Sequence, residues 1–380
     1  MNILYISNAR IPTEKAHGVA IMKACESFVR AGAGIRMVVA RRRNALLANT
    51  HEFYGVRNPF PIVRMATIDA YGFLPDRISF YLQALTFYLS LFGWMLFQSR
   101  KPIIYTRDAP VAFFSFLGFR VVYECHHLSG WKRTFFFLCR RARRIITISS
   151  ALKDAFVAVG FDEKRILVAP SGVDLDIFDI LISKKDARIR LNLPEKEFIA
   201  LYTGNFTTFG KDKGIADSIR AITLLDSNMI FLAVGGSESD IERYKILARE
   251  QGVADKVILI GHLPQSELAI YQKSADVLMM PFPDLPHYRN HMSPVKMFEY
   301  MASNRPIIAS DLPTIREVLN EQNAVLVAPG SPAQIAQAMD ALLVDTTRGD
   351  DIAREARMDV NRYTWTARAR LILDTIGQCL

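Results

Sequence analysis

The stretch His291-Met292-Ser293-Pro294-Val295-Lys296-Met297-Phe298-Glu299-Tyr300-Met301-Ala302 gathers the strongest set of chemically useful side chains in the chain. Ser293 and Pro294 predict a helix start, because serine caps free N–H groups and proline fits a first helical turn. Lys296 and Glu299 are three residues apart, so they share a face near the anion-attracting end of that helix. A lysine there can hold phosphate while a glutamate accepts two vicinal hydroxyls of a ribose; a bare i,i+3 ion pair would show the same spacing. Upstream, Thr203-Gly204-Asn205 and Lys211-Asp212-Lys213-Gly214 lie between a strand pattern and a helix pattern. A lysine in such a turn can reach a diphosphate and neutralise charge building up on it as it leaves. An ordinary turn with solvated lysines reads the same way.

Three further motifs fall in the first half. The loop Arg10–Gly18 runs into a helix N-terminus, where free N–H groups suit an anion or a sugar hydroxyl; it equally suits a plain flexible loop. It contains a single glycine, Gly18, and not the GxGxxG of a nicotinamide dinucleotide fold. His126 and His127 directly follow the apolar run Val121–Glu124, a position from which histidine can donate to a substrate oxygen or work as acid or base near neutral pH. A surface loop histidine is the competing reading. Asp174 and Asp176 form a DxD with no nearby third carboxylate or histidine to complete a hard-cation site, and read as turn chemistry.

These groups have to be positioned by a framework. Asn2–Ser7, a helix near residues 19–31 and Ile35–Ala40 read as one strand-helix-strand unit. Further strands are expected at Ile103–Thr106, Val121–Glu124, Ile145–Ile148 and Ile166–Ala169. After Ser171-Gly172-Val173 the pattern pauses in a polar stretch through Lys184-Lys185-Asp186, taken as a linker. It restarts with strands at Ile199–Thr203, Met229–Val234, Val257–Ile260, Val277–Met280 and Pro306–Ala309, separated by helices. Such alternation predicts α/β architecture: two Rossmann-like, doubly wound parallel-sheet domains facing across a cleft, with ligands beyond the carboxyl ends of the strands. The expected domains are residues 1–178 and residues 184–360.

Composition narrows the partners. With 380 residues, 50% hydrophobic and 22% charged, the chain should fold into two globular cores, which excludes disorder, collagen and fibre. Four cysteines without a CxxC pair argue against zinc ribbons and disulfide scaffolds and fit a reducing cytoplasm. The opening MNILYISNAR shows no secretory signal pattern. Residues 1–180 carry 24 Lys and Arg against 13 Asp and Glu, while residues 181–380 carry 23 against 25, so the net +9 comes entirely from the first half. Basic excess attracts phosphate of any kind; nucleic acid is disfavoured because no reader module or basic stripe with interleaved aromatics is present. Ile78–Ser99 is free of formal charge and long enough to cross a bilayer. Its polar interruptions, and the strand that follows it at once, favour a packed crossover helix, with a helix lying in a membrane surface as the next alternative.

The chain resembles GT-B-fold glycosyltransferases of the large retaining class, family 4. The resemblance rests on NARIPTEKAHGVAIMKACESF, VVYECHHL, RIITISSALKDAF, ILVAPSGVDLDIF, LYTGNF with DKGI, VILIGHLPQSELAIYQKSADVLMMPF and SPVKMFEYMASNRPIIASDLPTIREVL, in that order over nearly the full length. It implies that residues 361–380 return to the first domain, and it implies transfer of a hexosyl residue from a UDP- or GDP-sugar to an acceptor hydroxyl with retention, without a tightly bound metal or cofactor. By the same resemblance, His126, Lys213 and Glu299 are the catalytic residues. Gly18, Asn205, Lys211, Leu263, His291, Ser293 and Lys296, again with Glu299, line the donor. Two positions depart from the family pattern: His291 stands where the first of two glutamates is usual, and Gly204-Asn205 where Gly-Arg is usual. The basic excess, with Arg41, Arg42, Arg43, Arg140, Arg141, Arg143 and Arg144, would then fall on the acceptor side. That suggests a lipid-linked or polysaccharide acceptor and a peripheral enzyme on the anionic inner face of the membrane. A sugar-nucleotide epimerase or hydrolase of the same fold, and a non-catalytic nucleotide- or lipid-binding protein, are the alternatives.

Overall fold

The structure is a computed structural model and describes residues 1–380 other than 14, 45, 47, 99–101, 129, 131, 209, 226–227 and 379–380. Glu14 of the first loop, Ser99 and Arg100 at the end of the charge-free run, and Cys379 lie outside the described residues. The chain forms two compact units, Met1–Pro170 with Trp365–Leu380, and Ser171–Thr364.

The first unit is a parallel sheet of seven strands: β1 (Asn2–Ser7), β2 (Gly34–Ala40), β3 (Ile62–Met65), β4 (Ile103–Thr106), β5 (Val121–Cys125), β6 (Arg144–Thr147) and β7 (Ile166–Val168), in the order β3-β2-β1-β4-β5-β6-β7. Alternation along β1 feeds two cores. Leu4 and Ile6 pack with Phe87, Leu91 and Met95 on one face, and Ile3 and Tyr5 pack with Ile21, Cys25, Ala369 and Ile372 on the other. Burial on both faces is why these strands read as unbroken apolar runs. The helices Ala16–Arg30 and Trp365–Gly377 cover the second face together.

The second unit has six parallel strands and a hairpin: β8 (Phe198–Thr203), the hairpin β9 (Thr207–Thr208) and β10 (Lys211–Asp212), β11 (Met229–Gly236), β12 (Val257–Gly261), β13 (Val277–Met280), β14 (Ile307–Ser310) and β15 (Val325–Val327). Its sheet order is β12-β11-β8-β13-β14-β15. In both sheets the strand order reverses once, between β1 and β4 and between β8 and β13. Those reversals open crevices at the carboxyl ends of the flanking strands.

Two expectations are corrected. The pause at residues 171–186 is not a linker: Val173 N–H donates to Tyr363 O at 3.0 Å within the second unit, and Lys184-Lys185-Asp186 open the helix Lys184–Arg190, capped by Ser183 Oγ accepting from Asp186 N. A polar helix N-terminus and a polar linker have the same composition. Ser293 does not cap its helix; Pro294 takes the cap position of Val295–Ala302. Ser293 Oγ accepts from Ser171 N and its carbonyl accepts from Ser171 Oγ, each at 2.8 Å.

The charge-free segment forms the helix Asp76–Met95, the packed crossover helix that the sequence favours, with two polar residues among those it buries. Ser79 and Gln83 face inward with Phe87, Leu91 and Met95, whereas Ile78, Tyr81, Leu85 and Leu89 are exposed. Only 28% of its most apolar window is buried, although by length and composition it could cross a membrane. A crossing would put β1 and β4 on opposite sides, yet Ile3 to Ile6 pair with Ile103 to Thr106, so the helix stays with its sheet.

The two arginine clusters lie at different ends of the first sheet. Arg41–Arg43 follow the carboxyl end of β2, whereas Arg140–Arg144 lead into the amino end of β6. In a parallel sheet these are opposite edges. Arg144 is also occupied structurally, donating to Thr375 O at 3.2 Å and to Lys164 O.

Candidate active site

The crevice at the β8/β13 reversal has a floor built from glycines at close approach. Gly204, with φ +102°, ends β8 and donates its N–H to Val234 O at 2.8 Å. Gly214, with φ +93°, precedes the helix Ile215–Ile222, and a Cβ there would sit 1.9 Å from Pro281 O. Only glycine fits both the backbone angle and the space.

Two lysines converge on this floor. Lys296, in the first turn of Val295–Ala302, places Nζ 3.3 Å from the centroid of the Tyr202 ring. Its ammonium is buried and, among the described residues, makes no hydrogen bond. A Cβ on Gly204 would lie 3.4 Å from that Nζ, which locates the ammonium at the end of β8. Burial, with the Lys213 charge nearby, holds the Lys296 amine well below the usual lysine range, and Glu299 opposes this only in part. Lys213 is lowered by burial to about 8, with Asp240 opposing. Two cations sharing a desolvated crevice are unfavourable unless an anion joins them.

Glu299, on the same helix as Lys296, is buried. Burial raises its carboxyl to about 7 against Lys296 and hydrogen bonds from Gln265 and Gln272; Gln265 Nε2 donates to Glu299 Oε1 at 3.3 Å. Gln265 opens the helix Gln265–Ser274 just after half-buried Leu263. Tyr300 Oη accepts from Thr203 N at 2.7 Å and pins the end of β8 to the lysine-bearing helix. Gln265, Tyr202 and Tyr300 were not singled out in the sequence, because each acts through an element distant in the chain.

The other expected donor residues are placed as follows. Lys211 and Asn205 are exposed, the Asn205 carbonyl accepting from Tyr202 Oη at 2.8 Å. His291 is half-buried at the end of the helix Pro286–Asn290. Asp174 caps Leu175–Phe178, accepting from Asp176 N at 3.3 Å, and among the described residues no cluster of three His, Cys, Asp or Glu could hold a metal.

In the first unit, Gly18 is buried in the first turn of Ala16–Arg30, where a Cβ would lie 2.4 Å from Tyr54 Oη and 2.5 Å from Thr13 Cγ2. His126 Nε2 lies 2.6 Å from Glu124 Oε1. Glu124 is fully buried and also meets Arg107 and Arg368. No sequence signal marked this cluster, because Arg368 lies 244 residues from Glu124.

Paired parallel α/β units, one with a cationic crevice at its strand-order reversal, define the GT-B architecture. Residues 21–177 match the model "Glycosyltransferase Family 4", and residues 197–345 match "Glycosyl transferases group 1". A D-inositol 3-phosphate glycosyltransferase of Xylanimonas cellulosilytica is 28% identical over 228 residues, covering 58% of this chain and 52% of that protein. An uncharacterized glycosyltransferase, MJ1607, of Methanocaldococcus jannaschii is 28% identical over 229 residues, covering 58% and 56%. The chain spans about half the length of these curated relatives. Among solved structures, sucrose-phosphate synthase from Thermosynechococcus elongatus superposes with a TM-score of 0.76 at 21% identity over 99% of this chain and 98% of that one. Anabaena Alr3699/HepE in complex with UDP-glucose superposes at 0.73 and 16% identity over 100% of both chains. The chain belongs to the GT-B glycosyltransferases of the family 4 type.

Proposed function

We propose that this protein transfers a hexosyl residue from a nucleoside diphosphate sugar, UDP- or GDP-linked, to an acceptor hydroxyl with retention. The observation that carries the reading is the buried Lys296 ammonium beside Lys213, without a hydrogen bond among the described residues. A nucleoside diphosphate is a poor leaving group until its new charge is compensated, and cations already desolvated at its position compensate it without reorganisation. Lys296 and Lys213 bind the diphosphate, Glu299 accepts the ribose hydroxyls, the backbone at Leu263 meets the base, and His126 contacts the sugar. In retention the acceptor attacks the face the diphosphate leaves, and the diphosphate takes the proton. The UDP and UDP-glucose complexes of Alr3699/HepE support a UDP donor.

Thermal shift with a panel of UDP- and GDP-sugars tests the donor; at 100 times Kd, a bound donor adds roughly 2.7 kcal/mol of stability. Donor consumption that rises with acceptor supports transfer, whereas full turnover without acceptor points to the epimerase or hydrolase alternative.

Nucleotide binding should be tightest between pH 7 and 8. Below about 7 Glu299 gains a proton and stops accepting, so binding releases protons there. Lys296, held well below the usual lysine range, and Lys213, above about 8, lose their protons in the free protein, so binding takes protons up on the alkaline side. Calorimetry of UDP binding in buffers of different ionisation enthalpy reads both signs; a flat affinity from pH 6 to 9 contradicts the assignment.

The acceptor side is proposed to meet an anionic membrane surface in polysaccharide or glycolipid synthesis, with the enzyme peripheral on the cytoplasmic face. The support is the exposed apolar face of Asp76–Met95, together with Phe73 under Arg43 at 4.8 Å and Tyr71 under Arg42 at 5.1 Å. Each basic residue near anionic lipid adds about 1 kcal/mol. Neutralising Arg41, Arg42 and Arg43 together should therefore weaken sedimentation with phosphatidylglycerol vesicles about 100-fold, and added salt should do the same. Arg144→Gln should lower thermal stability and leave vesicle binding unchanged.

A further inference from the structure

The first unit holds a charge cluster with no assigned role. β4 and β5 pair with Tyr105 opposite Val122 and Thr106 opposite Tyr123. Continuing that register by one residue sets Arg107 beside Glu124, at the carboxyl edge of the sheet. Arg107 Nη2 lies 3.0 Å from Glu124 Oε1 and Arg368 Nη2 lies 2.9 Å from the same oxygen, while Tyr105 Oη donates to Oε2. Arg368 is further fixed by Nε donating to Pro170 O at 2.8 Å. Burial alone would raise the Glu124 carboxyl, but Arg107 and Arg368 hold it well below the usual carboxylate range, so Glu124 is a pure acceptor.

His126 completes this cluster from the outside. Its Nε2 lies 2.6 Å from Glu124 Oε1, and the side chain is 29% exposed. A carboxylate accepts only, so Nε2 must carry a proton; flipping the ring would set a carbon against the oxygen. Burial, then the Arg107 charge, lowers the ring to about 4, with Glu124 opposing and Arg368 adding to the fall, so near neutral pH it carries one proton in all. Nδ1 is left with a lone pair and, among the described residues, no partner.

We propose that Glu124, clamped by Arg107 and Arg368, is a positioning residue that locks His126 as the Nε2–H tautomer, so that Nδ1 accepts a hydrogen bond from a hydroxyl of the transferred sugar. His126 therefore recognises a hydroxyl donor and neither protonates nor donates to a sugar oxygen. The sugar as occupant rests on the transferase reading above; the tautomer does not.

The test uses the full chain with 15N-labelled histidine. The His126 resonances are assigned by their loss in His126→Asn. In wild type, Nδ1 should resonate as a lone-pair nitrogen and Nε2 as a protonated one from pH 8 down to about 5. A protonated Nδ1, or titration in the ordinary histidine range, overturns the proposal. The double variant Glu124→Gln with Arg368→Met keeps the cluster's net charge, and there His126 should show mixed tautomers while titrating no higher than in wild type, because burial and Arg107 still lower the ring and the carboxylate that opposed them is gone. With the donor that gives the largest thermal shift, kcat should fall at least 10-fold while the Kd for UDP stays within 2-fold. An unchanged tautomer in that variant, or loss of UDP binding in step with kcat, assigns Glu124 a merely structural part and rejects the proposal. If wild type turns over no donor, the transferase reading fails and the tautomer result still decides the lock.

Discussion

Lys296→Met should give a protein that melts at a higher temperature and transfers sugar roughly 100- to 1,000-fold more slowly, the usual cost of removing one preorganised donor from a developing oxyanion. The two effects share a cause. Desolvating an ammonium costs several kcal/mol, and a stacked ring returns about 2 kcal/mol. The Tyr202 ring at 3.3 Å therefore offsets only part of the penalty, consistent with the strongly lowered Lys296 amine. Methionine keeps the apolar stem against Tyr202 and removes the charge, so folding gains what catalysis loses. Melting temperature and kcat, measured on the same preparation, check the pair. A fall in both would mean that Lys296 is an ordinary core residue; unchanged kcat would remove it from the phosphate.

Glu299→Gln should raise the donor KM roughly 10- to 100-fold, because a hydrogen bond to a charged group contributes about 1.5–3 kcal/mol. The change in kcat should be smaller, since a ribose contact is made equally in ground and transition states. The more telling sign is in the pH profile. Wild-type kcat/KM should fall below about pH 7 as the buried Glu299 carboxyl protonates. Glutamine cannot titrate, so that acid limb should flatten while the decline above about 8, due to Lys213, persists. An acid limb that survives in Glu299→Gln belongs to another group and withdraws Glu299 from the donor.

Much of this arrangement was legible in the chain, for identifiable reasons. Strands buried on both faces write themselves as apolar runs, so β1, β2, β4 and β5 stood out, whereas the four-residue β3 with Arg64 and the three-residue β15 did not. Lys296 and Glu299 share one helix, and their spacing alone brought them together. Local composition misled where two structures share it. Ser293 had the form of a helix cap and serves instead as a partner of Ser171, and a polar stretch taken as a linker is a helix start. The inward Ser79 and Gln83 of Asp76–Met95 show why apolar content could not tell which face packs. Gln83 Nε2 donates to Asn8 Oδ1 at 2.8 Å, a partner 75 residues away. The Glu124 cluster was beyond reach, since its members come from β5, the residue after β4, and the C-terminal helix.

That last helix also sets a timetable. Trp365–Gly377 contributes Ala369, Ile372 and Ile376 to the first unit's core and Arg368 to Glu124. Yet it leaves the ribosome about 200 residues after Pro170. At 5–20 residues per second, the nascent first unit waits roughly 10–40 s with an uncovered apolar face and a carboxylate lacking one of its two arginines. The second unit's last residue, Thr364, emerges just ahead of that helix, so the part translated first is still the part completed last. During synthesis the exposed face of Ala16–Arg30 is where holdase chaperones should crosslink, and that contact should vanish once residue 377 has emerged.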